Sequence, residues 1–227
     1  MHLLGRTQPI HLYGGDGLKR IIDTTHAESH TVLQYPLLFH PLDFTQSKVI
    51  YEDEDMKVAT LIMRHSVPCC GFLFEEKPSP RKLIKEKLVE YDIPIEMLEG
   101  IKHGNNFTTS GGKVIPNGEL TIPPLPLRRY AYFSDTLYNE TIIPSISDVN
   151  LLYHEATFTS DMQERARQTM HSTAQQAASI AKLANVGKLV IGHFSARYKD
   201  LNPLLEEARA VFQNTQLAVE GDVIPIE

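Results

Sequence analysis

The sequence has 227 residues, of which 42% are hydrophobic and 22% charged, a composition typical of a globular protein with a sizeable core. A formal net charge of −6 argues against a protein that coats nucleic acid, although a local basic element is compatible with it. No apolar run approaches the length of a membrane span and no signal-peptide pattern is found; with only two, adjacent cysteines, this predicts a cytoplasmic protein.

The first third of the chain predicts one helix and several strands. The hydrophobic patterns place a helix over residues 18–29 and strands over residues 10–13, 48–51, 56–64 and 71–74. Both faces of the strand over 56–64 are apolar, which predicts that it is buried. His65 follows this strand directly.

Residues 77–120 differ in character from the rest and are interpreted as an insertion. Its first eleven residues, 77–87, hold five basic side chains and one acidic one, and two short helices follow. The four basic residues considered as candidates for phosphate contacts are Lys77, Arg81, Lys82 and Lys85. We expect the insertion to contain little core of its own, and a solvated helical flap is the alternative to a binding segment.

The last part of the chain alternates strands and helices, which predicts an α/β fold. Strands are predicted over residues 127–133, 148–153, 188–192, 216–219 and 223–226, with helices from Ala174 and Asn202. Asp135, His154 and His193 each follow one of the first three strands. Because ligand sites form at the carboxyl ends of strands in such sheets, we expect these ends to form the functional site.

Carboxylate and imidazole groups at one sheet edge suit a divalent metal such as Zn²⁺. The residues considered as candidate ligands are His65, Asp135 and His193. Two alternatives stay open: His65 can be a hydrogen-bonded residue at the rim of the sheet, and Asp135 can cap a helix. Arg197 is a candidate for binding phosphate, because a guanidinium binds it bidentately, and a surface salt bridge is its alternative.

Four motifs in order carry a family resemblance. They are Phe133-Ser-Asp135-Thr136, His154-Glu-Ala-Thr157, His171-Ser-Thr173 and His193-Phe-Ser-Ala-Arg-Tyr198. They resemble the second half of the ribonuclease Z family, tRNA 3′-processing endonucleases of the metallo-β-lactamase superfamily. The resemblance implies that residues 1–227 are a single domain, the C-terminal portion of the αβ/βα four-layer fold without its N-terminal part, with residues 77–120 inserted as an arm that binds tRNA.

The resemblance also implies roles for the site residues. His65, Asp135 and His193 would bind two zinc ions, with Asp135 bridging them, and His171 held by Glu155 would protonate the leaving 3′ oxygen. His154 is interpreted as a supporting or packing residue. The implied activity is removal of the 3′ trailer from precursor tRNA by a homodimer.

One departure from the family pattern is large. The His-x-His-x-Asp-His motif, which in the family supplies the larger share of the zinc ligands, does not occur in these 227 residues. We therefore expect a truncated form with an incomplete metal site, an uncovered apolar face and little or no nuclease activity alone. The rival interpretations are a small-substrate phosphodiesterase of the same superfamily and a non-catalytic tRNA-binding or dimer-partner protein.

Overall fold

A computed structural model describes residues 5–227, which divide into two compact units, residues 5–47 and Lys48–Glu227. The strands are β1 Ile10–Gly14, β2 Leu37–Pro41, β3 Val49–Glu52, β4 Met56–Ile62, β5 Cys70–Glu76, β6 Lys82–Leu83, β7 Phe107–Thr108, β8 Val114–Ile115, β9 Thr121–Ile122, β10 Arg129–Phe133, β11 Leu151–Glu155, β12 Lys188–Gly192 and β13 Thr215–Leu217. The α-helices are α1 Asp16–Glu28, α2 Lys85–Glu90, α3 Leu98–Lys102, α4 Asn117–Leu120, α5 Ile143–Ile146, α6 Gln163–Thr169, α7 Ala174–Leu183 and α8 Asn202–Val211.

The first unit is a small β-α-β arrangement. Strands β1 and β2 pair in parallel, and α1 lies between them in the chain. Parallel neighbours need a crossover connection, which α1 supplies. The strand and the helix predicted from the sequence are both present.

The second unit is built on one mixed sheet of seven strands, in the spatial order β13-β12-β11-β10-β5-β4-β3. Strands β10 to β13 are parallel to one another, whereas β5 pairs antiparallel with both β10 and β4. It follows that β4 runs in the same direction as β10. The loops after β4, β10, β11 and β12 therefore leave the sheet at a common edge.

Helix α7 covers one face of this sheet because its sequence buries small apolar side chains. Thr173 caps the helix: its hydroxyl accepts from the Gln176 amide at 3.2 Å, and its own amide donates to the Gln176 side chain at 3.0 Å. Five residues of the helix are buried, namely Ala174, Ala177, Ala178, Ile180 and Ala181. The helix thereby fixes the position of the segment that precedes it, residues 170–173.

The insertion has a core of its own, so the expectation of little internal packing was wrong. Its buried residues are Ile101, Phe107, Ile115 and Leu120, and Leu83, Tyr91 and Ile93 pack against them. The pairs β6–β9 and β7–β8 close the segment. Apolar residues spread over forty positions without helical or strand periodicity gave no sequence signal for this cluster.

Strands predicted in the last part of the chain also differ from the structure. Strand β11 begins and ends later than predicted, so His154 and Glu155 lie within it rather than beyond it. Asp148 has a φ of +58°, which is incompatible with extended backbone, so the strand begins only after this residue. Residues 223–226 form no strand. Among residues 5–227, no helix has the length and apolar character needed to cross a bilayer.

Candidate metal and acid–base site

The common edge of the sheet brings together residues from three parallel strands. In the register of the sheet, Phe133 lies opposite His154, and Glu155 lies opposite Gly192. Asp135 and His193 come just after two of these strands, and Glu155 is the last residue of the strand between them. The register therefore places Asp135, Glu155 and His193 at the same end of these three strands.

Asp135, His171 and His193 form the group that could hold a metal ion. One ligand atom from each lies within 4.8 Å of the others, and His193 Nε2 is 3.1 Å from Asp135 Oδ1. The side chains of Asp135 and His193 are 38% and 43% exposed, whereas that of His171 is 16% exposed. One carboxylate and two imidazoles suit zinc, which in catalytic sites takes three protein ligands and keeps one open position.

His65 lies beside this group rather than in it. Its ring centroid is 5.0 Å from that of His171, and its Nδ1 donates to the Met170 carbonyl at 3.0 Å. In the neutral ring that nitrogen carries the proton, which leaves the lone pair on Nε2 of His65. The role predicted for His65, metal ligation, remains a prediction.

Glu155 is the centre of the hydrogen-bond network beneath the site. Its carboxylate is fully buried, and its two oxygens accept from five groups at 2.6–3.3 Å. These donors are Thr136 N, His171 Nδ1, Thr157 Oγ1, Thr157 N and Ser172 N. A buried carboxylate satisfied by this many donors is held in one orientation, and so are the groups bound to it.

The contacts of Glu155 set the charge of the pair it forms with His171. Burial by itself raises the pKa of Glu155, but the hydrogen bonds from His171, Thr157 and Thr136 outweigh it, so its pKa lies below the ordinary value. The hydrogen bond to Glu155 raises the pKa of His171 against the opposing effect of burial. The pair therefore favours a carboxylate beside an imidazolium, with Nε2 of His171 directed away from Glu155.

Two residues of the site lie in the left-handed region of the backbone map. Met170, just before His171, and His193 both have a φ of +57°. Residues other than glycine rarely adopt this conformation, and they persist in it only where surrounding contacts enforce it. Neither position carries a sequence signal for such a turn, so the sequence could not have predicted it.

The remaining predicted residues have distinct surroundings. The Arg197 guanidinium lies 5.2 Å from the centroid of the Phe158 ring, and its Nε donates to Ser195 Oγ at 3.2 Å. In residues 5–227 no carboxylate lies within ion-pair distance of Arg197, so the salt-bridge alternative has no partner there.

His154 is fully buried with its ring against the edge of Phe133, which agrees with a packing role. No helix begins at Asp135, so the helix-cap alternative finds no support.

The basic residues of the insertion divide into two groups. Lys77 Nζ is 2.9 Å from Glu52 and also donates to the Asp53 carbonyl, and Arg81 donates to Thr121 Oγ1 at 2.6 Å. Lys82 and Lys85 are exposed, and neither forms an ion pair within the described part of the chain.

Thr157 is a residue of the site to which sequence reasoning assigned no role. It lies in the His154-Glu-Ala-Thr157 motif, and its hydroxyl contacts both Glu155 and His193. The sequence signal that could have indicated this role is the spacing of Thr157, two residues after Glu155, which lets its hydroxyl reach the carboxylate.

Comparison with known proteins identifies relatives over nearly the whole chain. The chain is 46% identical to ribonuclease Z of Bacteroides thetaiotaomicron over 224 residues, which cover 99% of this chain and 71% of that protein. It is 44% identical to ribonuclease Z of Cytophaga hutchinsonii over 222 residues, 97% of this chain and 71% of that protein. No family model matches the chain.

Solved structures share the fold. Human tRNase Z, short form, superposes with a TM-score of 0.61 at 23% identity, over 96% of this chain and 67% of that one. The metallo-β-lactamase fold protein YhfI from Bacillus subtilis gives a TM-score of 0.56 at 18% identity, over 94% of this chain and 64% of that one. The predicted fold class, that of the metallo-β-lactamases, is confirmed.

Proposed function

Because this chain belongs to the ribonuclease Z family of endoribonucleases, we propose that it serves in removing the 3′ trailer from precursor tRNA, with zinc as the metal. The observation that carries the proposal is the Glu155–His171 pair at 2.8 Å, next to the Asp135–His193 pair at the same sheet edge. In this proposal residues 1–227 act as one domain of the family fold, and residues 77–120 are the segment inserted in it.

The chain's own residues would hold the metal through His65, Asp135 and His193. A ligand atom of His171 also lies within 4.8 Å of those of Asp135 and His193. Its hydrogen bond to Glu155 would orient the ring for either role, metal ligand or general acid. His65, His171 and His193 all direct Nδ1 at a hydrogen-bond partner, which leaves each Nε2 for the site. A bound zinc ion supplies an activated water nucleophile near neutral pH and offsets charge on the scissile phosphate.

His171 is proposed as the general acid. The hydrogen bond from Nδ1–H to Glu155 raises the pKa of His171, which favours the imidazolium, and Nε2–H would then face the substrate side. The proton from Nε2 would go to the 3′ oxygen that leaves the phosphorus. Arg197, held over Phe158, would bind a phosphate oxygen of the substrate.

The ligand set within these 227 residues is incomplete for the two zinc ions that the family resemblance implies. Three or four donors shared between two ions leave both with open positions. We therefore expect this chain by itself to bind zinc weakly and to have little or no nuclease activity.

Precursor tRNA is the proposed partner. Lys82 and Lys85 are exposed without ion-pair partners in the described residues and are free to contact phosphates, whereas Lys77 and Arg81 would have to leave their present contacts. A homodimer in the cytoplasm, with the insertion of one subunit serving the site of the other, completes the proposal.

The first test is cleavage of a precursor tRNA with a 3′ trailer, in the presence of Zn²⁺ and under single-turnover conditions, by this chain with the His-x-His-x-Asp-His portion of a relative fused to it. Cleavage after the discriminator base, slowed ~10²–10⁴-fold by His171→Ala, is the expected result. The control is His103→Ala, an exposed histidine of the insertion paired with Glu99. A normal rate in His171→Ala would refute the acid role.

A second test separates the rivals through the insertion. Lys82→Ala with Lys85→Ala should weaken tRNA binding and lower its salt dependence, whereas Lys182→Ala on α7 should change neither. Hydrolysis of a chromogenic phosphodiester with no tRNA binding would favour the small-substrate enzyme. Salt-dependent tRNA binding without cleavage, even when the His-x-His-x-Asp-His portion of a relative is fused to the chain, would favour the non-catalytic protein.

A further inference from the structure

The Thr157 hydroxyl lies between two residues of the site. Its Oγ1 is 2.6 Å from Glu155 Oε2 and 3.0 Å from His193 Nδ1, and the residue is only 6% exposed. Glu155 also binds Nδ1 of His171 through its other oxygen. One carboxylate is therefore in contact with His171 directly and with His193 through a single hydroxyl.

The hydrogens of this chain of contacts can be assigned. A threonine hydroxyl has one hydrogen, and an ionised carboxylate can only accept, so the shorter contact is Thr157 donating to Glu155. The His193 carbonyl, 3.0 Å from the same hydroxyl, is the weaker acceptor because it is farther away and uncharged. The hydroxyl oxygen is then left as an acceptor for the imidazole of His193. Nδ1 of His193 then carries a proton that this oxygen accepts, while Asp135 Oδ1, 3.1 Å from Nε2 of the same ring, competes to hold a proton there.

We propose that Thr157 is a positioning residue that links Glu155 to His193 and holds the proton of His193 on Nδ1. Glu155 thereby orients both imidazoles of the site with one charge. The consequence for metal binding rests on the proposed function, in which His193 uses Nε2 as a ligand. The assignment of the proton itself rests only on the contacts.

His193 needs this support because its other ring contacts do not favour a proton on Nδ1: Asp135 Oδ1 faces Nε2, and the His171 ring stacks on it with the centroids 5.2 Å apart. Its side chain is 43% exposed, and its backbone occupies the left-handed region. The backbone of the turn is held separately, by the Ala156 amide on the Gly192 carbonyl at 2.8 Å and the Ser195 amide on the Thr157 carbonyl at 3.1 Å. Removing the hydroxyl alone therefore leaves the turn in place and isolates its effect on the ring.

The test compares Thr157→Val, which keeps the shape and loses the hydroxyl, with Thr157→Ser, which keeps the hydroxyl. Long-range ¹⁵N–¹H NMR of the metal-free chain, about two pH units above the ordinary histidine pKa of ~6.5, reports which nitrogen carries the proton. We expect Nδ1–H at His193 in the wild type and in Thr157→Ser, and a shift towards Nε2–H in Thr157→Val. Thr159→Val, two residues along and bound to Tyr198 instead, is the control and should change nothing at His193.

A second measurement uses Zn²⁺ alone, in competition with a chromophoric chelator. Thr157→Val should weaken zinc binding ~10–100-fold, with Thr157→Ser close to the wild type. A wild-type His193 protonated on Nε2, or a Thr157→Val variant with unchanged tautomer and zinc affinity, would overturn the inference. Failure to cleave precursor tRNA would count against the proposed function and leave the tautomer result standing.

Discussion

At the scale of single residues, Glu155 is the side chain on which most of the site depends. Replacing it by alanine leaves the amides of Thr136 and Ser172 and the Nδ1 of His171 without their acceptor in a buried place. We expect Glu155→Ala to lower the free energy of unfolding by ~3–5 kcal/mol, the range seen when one partner of a buried ion pair is removed.

Urea unfolding of the metal-free chain measures this loss. The matched control is Glu164→Ala, whose carboxylate is 67% exposed and faces Arg167 one turn along α6. Exposed pairs of this kind contribute ~0–1 kcal/mol, so the control should unfold nearly as the wild type does. Equal losses in the two variants would mean that the network beneath the site contributes little to stability.

At the scale of elements, a row of charges joins three strands of the sheet. In the register, Glu75 on β5 lies opposite Lys57 on β4 and Arg129 on β10, and it contacts them at 2.8 and 2.9 Å. Burial raises the pKa of Glu75, but the hydrogen bonds from Lys57 and Arg129 outweigh it and place the pKa below its ordinary value. The stabilisation from this row is therefore present above the unfolded-state pKa of ~4.3 and is lost as the pH falls through the folded-state pKa.

Glu75→Gln tests that sign. The variant should be less stable than the wild type at neutral pH by up to ~1 kcal/mol, since the carboxylate is 21% exposed, and the difference should shrink as the pH drops below ~4. Unfolding by urea at a series of pH values gives the comparison. A difference that stays constant across that range would show that the carboxylate's charge is not what stabilises the row.

The close approach of β5 and β10 is a second feature at this scale. A Cβ on Gly71 would overlap Phe133 Cδ1 and lie 2.6 Å from the Tyr132 carbonyl oxygen, so only glycine fits. Gly71→Ala should cost ~1–3 kcal/mol through overpacking. Gly118→Ala in α4, where a Cβ meets nothing within 4 Å, should be neutral or stabilising in the same thermal unfolding assay.

At the scale of the whole molecule, periodicity and capping made the local elements predictable from the sequence. Strand β12 and the start of α8 agree with the prediction to the residue, because an apolar run and an Asn-Pro start are local signals. The network around Glu155 was half predicted: His171 came from the motif, but the role of Thr157 depends on contacts across strands. The left-handed backbone at His193 and the core of the insertion depend on tertiary packing, which a single sequence does not encode in any local pattern.

The second unit contains two separate cores. The main core lies between the seven-stranded sheet and α7 and α8, whereas the insertion buries Ile115 in its own small cluster. Ile115→Ala should remove ~2–5 kcal/mol from that cluster, more than a core of this size can lose. We expect the insertion to open locally while β10, β11 and β12 keep their protection, because stability in such a chain is not uniform.

Hydrogen–deuterium exchange resolves the two regions in one experiment. Amides of β7 and β8 should exchange at near-unfolded rates in Ile115→Ala, and they should stay protected in Val114→Ala, the 55% exposed neighbour on the same strand. Weaker tRNA binding in Ile115→Ala alone would then tie the folded insertion to the proposed substrate. Faster exchange spread evenly over both cores would instead show one cooperative unit, in which the insertion could not be altered without unfolding the site.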